Sequence, residues 1–121
     1  MKNSYAKLLV LITASVFLGA CGPSIDMTKT GKGFFAKTDA DHVEILSTLP
    51  DKGFEEVATF STSGWDASDT AKMHNGIRLK AADIGGDAAV IQNSGINLVQ
   101  SGFSTKRYLW STGVVLHFKD E

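Results

Sequence analysis

The chain has 121 residues and a formal net charge of -1, with 43% hydrophobic and 21% charged residues. This composition is typical of a single globular domain, and it lacks the basic excess with which proteins bind nucleic acids. We therefore expect one folded domain and no nucleic-acid partner.

The beginning of the chain differs in composition from the rest. Residues 1–7, MKNSYAK, contain two lysines and no acid, and residues 8–20, LLVLITASVFLGA, contain no charge. This apolar stretch is shorter than the ~20 residues of a membrane-spanning helix. A basic region followed by a short apolar region is typical of a secretion signal, so we predict that residues 1–20 are a signal peptide that is removed.

The single cysteine of the chain, Cys21, directly follows this apolar region. An ordinary secretory cut needs small residues at the first and third positions before it. A cut before Cys21 would put the bulky Leu18 in the third position. A cut after Gly22 would leave Pro23 at the new N-terminus, where its ring disfavours cleavage. Residues 18–21, LGAC, instead resemble the lipobox of bacterial lipoproteins, an aliphatic residue and two small residues before a cysteine.

The lipobox resemblance implies that the signal is cut between Ala20 and Cys21, and that the Cys21 thiol and the new amino group are acylated. Two or more acyl chains hold a protein firmly on a bilayer, at about 0.8 kcal/mol per buried methylene. Because Gly22 stands where an aspartate would favour the inner membrane, the resemblance implies the periplasmic face of the outer membrane. The alternative for Cys21 is a buried structural cysteine or a free redox thiol.

The mature chain from Cys21 would carry ten Lys and Arg against thirteen Asp and Glu, a formal charge of -3. Residues 21–33 are small, polar and glycine-bearing, which predicts a flexible tether. Residues 34–121 are expected to form a single domain.

Alternating apolar residues predict strands in the first half of this domain. Val43 and Ile45 alternate with polar residues, and a second alternating stretch runs over residues 54–60. Pro50 and Gly53 lie between the two stretches at positions that favour a turn, so the sequence predicts a β-hairpin.

A helix is predicted over residues 66–86. Asp66, Ser68 and Asp69 are typical of a helix start, and Gly85-Gly86 of a helix end. The predicted buried stripe of this helix consists of Met73, Ile77, Ala81 and Ile84.

Two further strands follow the helix, at residues 87–92 and 107–119, with a short edge strand expected at residues 96–100 between them. The order strand, strand, helix, strand, strand predicts an α+β fold, a four- to five-stranded, mostly antiparallel sheet with one helix on one face.

Residues 43–118 are similar to the periplasmic domain of the outer-membrane lipoprotein sensor of the Rcs phosphorelay, and to small envelope domains of the YbjQ family. The most recognisable part is residues 79–91, LKAADIGGDAAVI. The resemblance implies the same fold and a role in envelope-stress sensing. It does not extend to the disulfides of the sensor, because none of its cysteines has a counterpart here.

The sequence gives little indication of catalysis or metal binding. His42, His74 and His117 show no His-x-x-x-His spacing, and no nucleophile elbow, P-loop or dinucleotide fingerprint occurs. We therefore predict a non-enzymatic protein with no cofactor, no metal and no small-molecule substrate. A lipid-anchored metal-binding or hydrolytic domain is the alternative.

The remaining candidates for function are four aromatic residues, Trp65, Phe103, Tyr108 and Trp110, and the edge strand expected at residues 96–100, which could accept a strand of a partner protein. Trp65 and Trp110 are predicted to contact a protein partner, and their alternative role is sheet or core packing. The sequence thus predicts a small envelope lipoprotein that is held by lipid through Cys21 and binds or senses through an envelope membrane protein.

Overall fold

A computed structural model of the protein describes residues 22–119. These residues form, in chain order, β1 (Ser24–Lys29), a short 3-10 helix (Ala40–His42), β2 (Glu44–Leu46), β3 (Phe54–Asp66), α1 (Thr70–Asp83), β4 (Ala88–Ser101) and β5 (Ser104–Phe118). The five strands make one sheet in the spatial order β1-β3-β5-β4-β2. All neighbouring pairs are antiparallel except β2 with β4. The predicted α+β class, with one helix on one face of a mixed sheet, is confirmed.

The segment predicted as a flexible tether differs from that expectation. Residues Ser24–Lys29 form β1, which pairs with β3 from Ser24 opposite Ser63 to Lys29 opposite Ala58. The alternating residues Ile25 and Met27 are half-buried, and Met27 packs against the core under the helix. Small and polar residues favour flexibility, but their alternation with the apolar Ile25 and Met27 is the pattern of an edge strand. The domain therefore begins at Ser24.

The predicted hairpin of the first two strands is wrong. β2 pairs in parallel with the start of β4, through Glu44 opposite Ala88 and Leu46 opposite Val90. β3 lies on the far side of the sheet, between β1 and β5. Ala88 and Val90 are buried, so this part of β4 needs a neighbour on each edge, and β2 supplies the second one.

α1 is shorter than predicted, but its buried stripe is the expected one. Met73, Ile77 and Ala81 are buried against the sheet, together with Ala82. Ile84, the fourth residue of the predicted stripe, follows the helix and is partly buried against the same core.

Asp66, predicted at the helix start, is instead the last residue of β3, and α1 begins after Asp69, whose side chain forms no capping hydrogen bond. In the turn between β3 and α1, the Asp66 carboxylate accepts hydrogen bonds from the backbone N–H of Ser68 (2.9 Å) and from its hydroxyl (2.7 Å). These bonds lower the pKa of Asp66.

The helix ends at the predicted glycine pair. Gly85 has a φ of +81°, and its N–H bonds to the carbonyl of Ala82 while that of Gly86 bonds to the carbonyl of Ala81. This is the Schellman arrangement, which favours glycine because the left-handed conformation is costly for other residues.

The main core lies between α1 and one face of the sheet. It contains Val57, Ala58, Phe60, Ala89 and Val115 from the strands, and the buried residues of the helix. A smaller cluster covers one end of the opposite face, with Ala88, Val90, Val114 and Leu116 buried under Leu46, Phe54 and Phe118.

The middle of α1 comes close to β1 and β3. A Cβ at Gly76 would lie 2.8 Å from Ile25 Cδ1 and 3.2 Å from Trp65 Cη2. Gly76, the weakest helix former in the segment, is therefore where the helix meets these two strands.

Candidate functional site

The predicted cleavage and lipidation residues, Ala20 and Cys21, lie outside the described residues. The description begins at Gly22, and Pro23 lies beside Gly64 near the end of β3, since a Cβ at Gly64 would be 3.3 Å from the Pro23 Cα. The N-terminus therefore enters the domain at the end of the sheet where β3 ends and β5 begins.

At this same end, β4 and β5 extend beyond the rest of the sheet. β3 pairs with β5 only as far as Asp66 opposite Tyr108, whereas β4 and β5 stay paired to Ser101 opposite Ser104. We call residues 94–110 the arm. The edge strand predicted at residues 96–100 is confirmed as part of β4. Within residues 22–119, β4 pairs on its other edge only at residues 88–90, so the arm has an open edge.

A two-residue turn closes the arm. Gly102 has a φ of +63° and Phe103 follows it with a negative φ. Glycine in the first of two turn positions is the pattern of a type II′ turn, whose twist matches the two strands. The arm is therefore a regular hairpin with an aromatic residue at its tip.

The arm carries most of the exposed large apolar side chains of the described domain. Its exposed fractions are 51% for Ile96, 67% for Leu98, 46% for Val99 and 112% for Phe103, the last being as open as in an extended peptide. Large apolar side chains grouped on a surface mark an interaction site more often than scattered ones do. Phe103 is one of the aromatic residues that the sequence offers as candidates, and Leu98 and Val99 lie in the predicted edge strand at residues 96–100, but the sequence does not predict that the three residues share one hairpin.

A groove of about 210 Å³ lies between the start of α1 and the arm. Met73, Ile91, Ile96 and Leu109 contribute apolar walls, and His74 lies at its edge. Burial lowers the pKa of His74, and the nearby Arg78 lowers it further. Because this favours the neutral imidazole near pH 7, the groove presents a mainly apolar, uncharged surface to the outside.

The two tryptophans predicted to contact a partner do not share a surface. Trp65 is half-buried against the main core, and its indole N–H donates to Thr62 Oγ1 at 2.7 Å. Trp110 pairs with Gly95, and a Cβ at Gly95 would lie 2.7 Å from the indole nitrogen. Trp65 thus has a clear packing role, while Trp110 covers the backbone of the arm. Partner binding through either residue stays a prediction.

The histidines occupy three separate places. His42 is on the surface, and His74 borders the groove. His117 stacks on Phe35, with ring centroids 3.8 Å apart, and its Nδ1 lies 2.9 Å from the Gly85 carbonyl oxygen and 3.1 Å from Asp87 Oδ2.

The His117–Asp87 pair is a structural link. Asp87 Oδ2 also accepts the backbone N–H of Phe118 at 2.8 Å, so the pair ties the end of α1 to the last strand. Among residues 22–119, the hydrogen-bonding and stacking partners of His117 are Gly85, Asp87 and Phe35, and none of these is a hydroxyl or thiol that it could activate. Across residues 22–119, no three His, Cys, Asp or Glu side chains come together as metal ligands.

The geometry defines a small α+β domain with an apolar arm and an adjoining groove. The chain matches no protein-family model and no curated protein. It is similar to a solved structure of the Francisella virulence factor FvfA, with a TM-score of 0.51 and 15% identity over 81% of this chain and 99% of that one. This likeness concerns the fold. No helix in the described part of the chain is long and apolar enough to cross a bilayer.

Proposed function

We propose that this protein is a lipid-anchored domain of the bacterial cell envelope, placed on the periplasmic face of the outer membrane, that binds or senses rather than catalyses. The observation that carries the proposal is the sequence LGAC at residues 18–21, directly after a basic and an apolar region. The acyl chains on Cys21 are the membrane contact, and an envelope membrane protein is the expected partner.

The start of β1 supports a position close to the membrane. β1 begins at Ser24, so only Gly22 and Pro23 separate Cys21 from the folded domain. Three peptide steps span at most about 11 Å. An acylated Cys21 would therefore keep the sheet within about 11 Å of the lipid headgroups. The end of the sheet that carries the arm would lie nearest to them.

The groove and the arm support a binding role. Both present apolar side chains on the surface, whereas the titratable pair His117–Asp87 is used for internal contacts. The resemblance to the Rcs lipoprotein sensor suggests that the bound partner reports on the state of the envelope. A metal-binding or hydrolytic role has no comparable cluster in its favour within the described residues.

Acylation is tested with Cys21→Ala in the full chain. We expect the wild-type protein to have an acyl-modified cysteine as its first residue by mass spectrometry, and the variant to leave washed membranes. Gly22→Ala is the matched control, because a Cβ at Gly22 meets nothing within 4 Å and the lipobox stays intact. An unmodified N-terminus in the wild-type protein, or equal membrane retention of Cys21→Ala, would contradict the proposal.

Sorting is tested at the neighbouring position. Gly22→Asp should move the protein to the inner-membrane fraction, because an aspartate in that place favours inner-membrane retention in lipoproteins. Gly22→Ala should leave it in the outer membrane. The same fractionation for both variants would contradict the outer-membrane placement.

Partner binding is tested by photo-cross-linking in intact cells. A cross-linker in place of Ile96, which is half-exposed beside the groove, should give an adduct of defined mass with an envelope protein. A cross-linker in place of Leu79 on the outer side of α1, 61% exposed, is the control and should give none. Equal or absent adducts at the two positions would argue against binding through the groove.

A further inference from the structure

The tip of the arm carries an exposed apolar side chain on each of its two faces and one at its turn. Ile96 pairs with Leu109, which packs on the main core, so Leu98 two residues further along β4 lies on the helix side of the arm. Val99 is its neighbour and therefore lies on the opposite face, and Phe103 occupies the turn. A protein docked on one face would cover only one of these side chains. Immersion in an apolar medium would cover all of them.

Basic residues stand directly beside these apolar side chains. Leu98 lies opposite Arg107 and Val99 lies opposite Lys106. Both basic residues are exposed, and residues 94–110 include no Asp or Glu. Long basic side chains can cover apolar surface with their stems while their charged ends reach the headgroups of lipids. Residues 94–110 therefore carry two positive charges and no negative one, in a mature chain that would be acidic. Asp66 at the end of β3 is a nearby acid, since Lys106 contributes to lowering its pKa.

The arm also points in the direction of the proposed lipid. β1 starts with Ser24 opposite Ser63, and Pro23 lies beside Gly64, so the described chain begins close to Asp66, which is the last β3 residue paired with β5 and lies opposite Tyr108. From Tyr108 the arm continues for four residues to Ser104, which is about 13 Å at ~3.3 Å per residue. A surface that holds Cys21 would thus meet the tip of the arm.

We propose that residues 98–107 insert into the interfacial region of the bilayer, with Phe103, Leu98 and Val99 among the upper acyl chains and Lys106 and Arg107 on anionic headgroups. This rests on the proposed lipid anchoring of Cys21 and adds a second contact with the same membrane. Interfacial amphipathic helices bury their apolar face by about 5–10 Å, and we expect a similar depth for this hairpin. The open edge of β4 keeps the arm at that depth, because its unpaired backbone groups need polar partners. Two contacts fix the orientation of the domain, so the groove faces a defined direction along the membrane.

The test uses a fluorescent dye on the lipidated full chain. Acylation consumes the Cys21 thiol, so Ser104→Cys beside the tip provides a single labelling site, and Leu79→Cys on α1 provides the matched control. Each protein is placed in phosphatidylethanolamine–phosphatidylglycerol vesicles that contain a fraction of nitroxide-bearing acyl chains. We expect the dye at position 104 to shift to the blue, to be quenched by the nitroxides and to lose most of its quenching by aqueous iodide. The dye at position 79 should stay open to iodide.

Two further variants separate the apolar and charged contributions. Phe103→Ser in the Ser104→Cys chain should lower the ratio of immersed to exposed dye by at least about tenfold, since burying a phenylalanine side chain has that effect on an equilibrium. Neutralising Lys106 or Arg107 to Gln should lower it about fivefold each at low salt, whereas Lys80→Gln on the helix should not change it.

Each outcome bears on one proposal. Equal iodide quenching of the dye at positions 104 and 79 overturns insertion of the arm. Insertion is also overturned if the dye at position 104 is protected from iodide in native envelopes but not in pure lipid vesicles, because this result would indicate a protein partner. Adding Cys21→Ala to the Ser104→Cys chain, expressed without the apolar signal of residues 1–20, separates the two proposals. A blue shift of this non-acylated protein on added vesicles supports the arm even where mass spectrometry finds no acyl group on the wild-type protein.

Discussion

Replacement of Met27 by alanine tests whether residues 24–29 form a flexible tether or strand β1. Met27 is half-buried, lies opposite Phe60 in the sheet and packs against the main core. In a tether its side chain would contact nothing, and its removal would not affect folding. In β1 the same change removes apolar contacts from the edge of the core.

The expected size of the effect follows from the partial burial of Met27. Replacing a fully buried methionine by alanine costs about 2–5 kcal/mol, so a half-buried one should cost about 1–2.5 kcal/mol. For a domain of this size, this lowers Tm by about 5–15 °C. Asp26→Ala is the matched control on the same strand, because Asp26 is exposed opposite Ser61, and it should change stability by less than about 0.5 kcal/mol.

The measurement is urea and thermal unfolding of the full chain, followed by far-ultraviolet circular dichroism, with all proteins in the same acylation state. If Met27→Ala has the same urea midpoint and the same Tm as Asp26→Ala and the wild type, the pairing of β1 with β3 is refuted. The distance between membrane and domain would then be set by a loose tether rather than by two residues.

Three other changes probe the core, the groove and the arm. Ile77→Ala, at a fully buried position of α1, should cost about 2–5 kcal/mol in urea unfolding, whereas Leu79→Ala on the outer face should cost less than about 1 kcal/mol, and equal losses would contradict the orientation of the helix. Because the pKa of His74 is lowered in the folded state, the unfolded state binds a proton at this residue first as the pH falls through about 6.5, and the free energy of unfolding decreases. His74→Gln should therefore reduce the loss of stability between about pH 7.5 and 5.5. An unchanged dependence of the free energy of unfolding on pH would contradict this. Gly95→Val should displace the Trp110 indole and shift its fluorescence to the red, and an unchanged spectrum would mean that the ring does not cover Gly95.

The elements whose burial pattern is local were predictable from the sequence. The stripe of Met73, Ile77 and Ala81 and the glycine pair after α1 define the helix and its end through neighbours within two turns. The face of β5 that carries Trp110, Val114 and Leu116 also follows from simple alternation, and the sheet register keeps it.

The pairing of strands was not predictable in the same way. A turn-forming sequence lies between β2 and β3, and yet β2 pairs with β4. β-sheet contacts join residues far apart in the chain, and alternation alone states which face is buried without naming the neighbour. For the same reason the arm was not predictable, because its length depends on where β3 stops pairing with β5.

The sequence by itself determined the class of fold, the position and end of the helix, and the single cysteine in a lipobox-like setting, since each depends on residues adjacent in the chain. The tertiary structure decided that residues 24–29 form an edge strand of the sheet and that Trp65 packs against the core. It also decided that Phe103 lies exposed at the tip of the arm, at the end of the sheet where the described chain begins. These facts depend on which distant strands meet and where their pairing ends, and a linear pattern of apolar and polar residues does not contain that information.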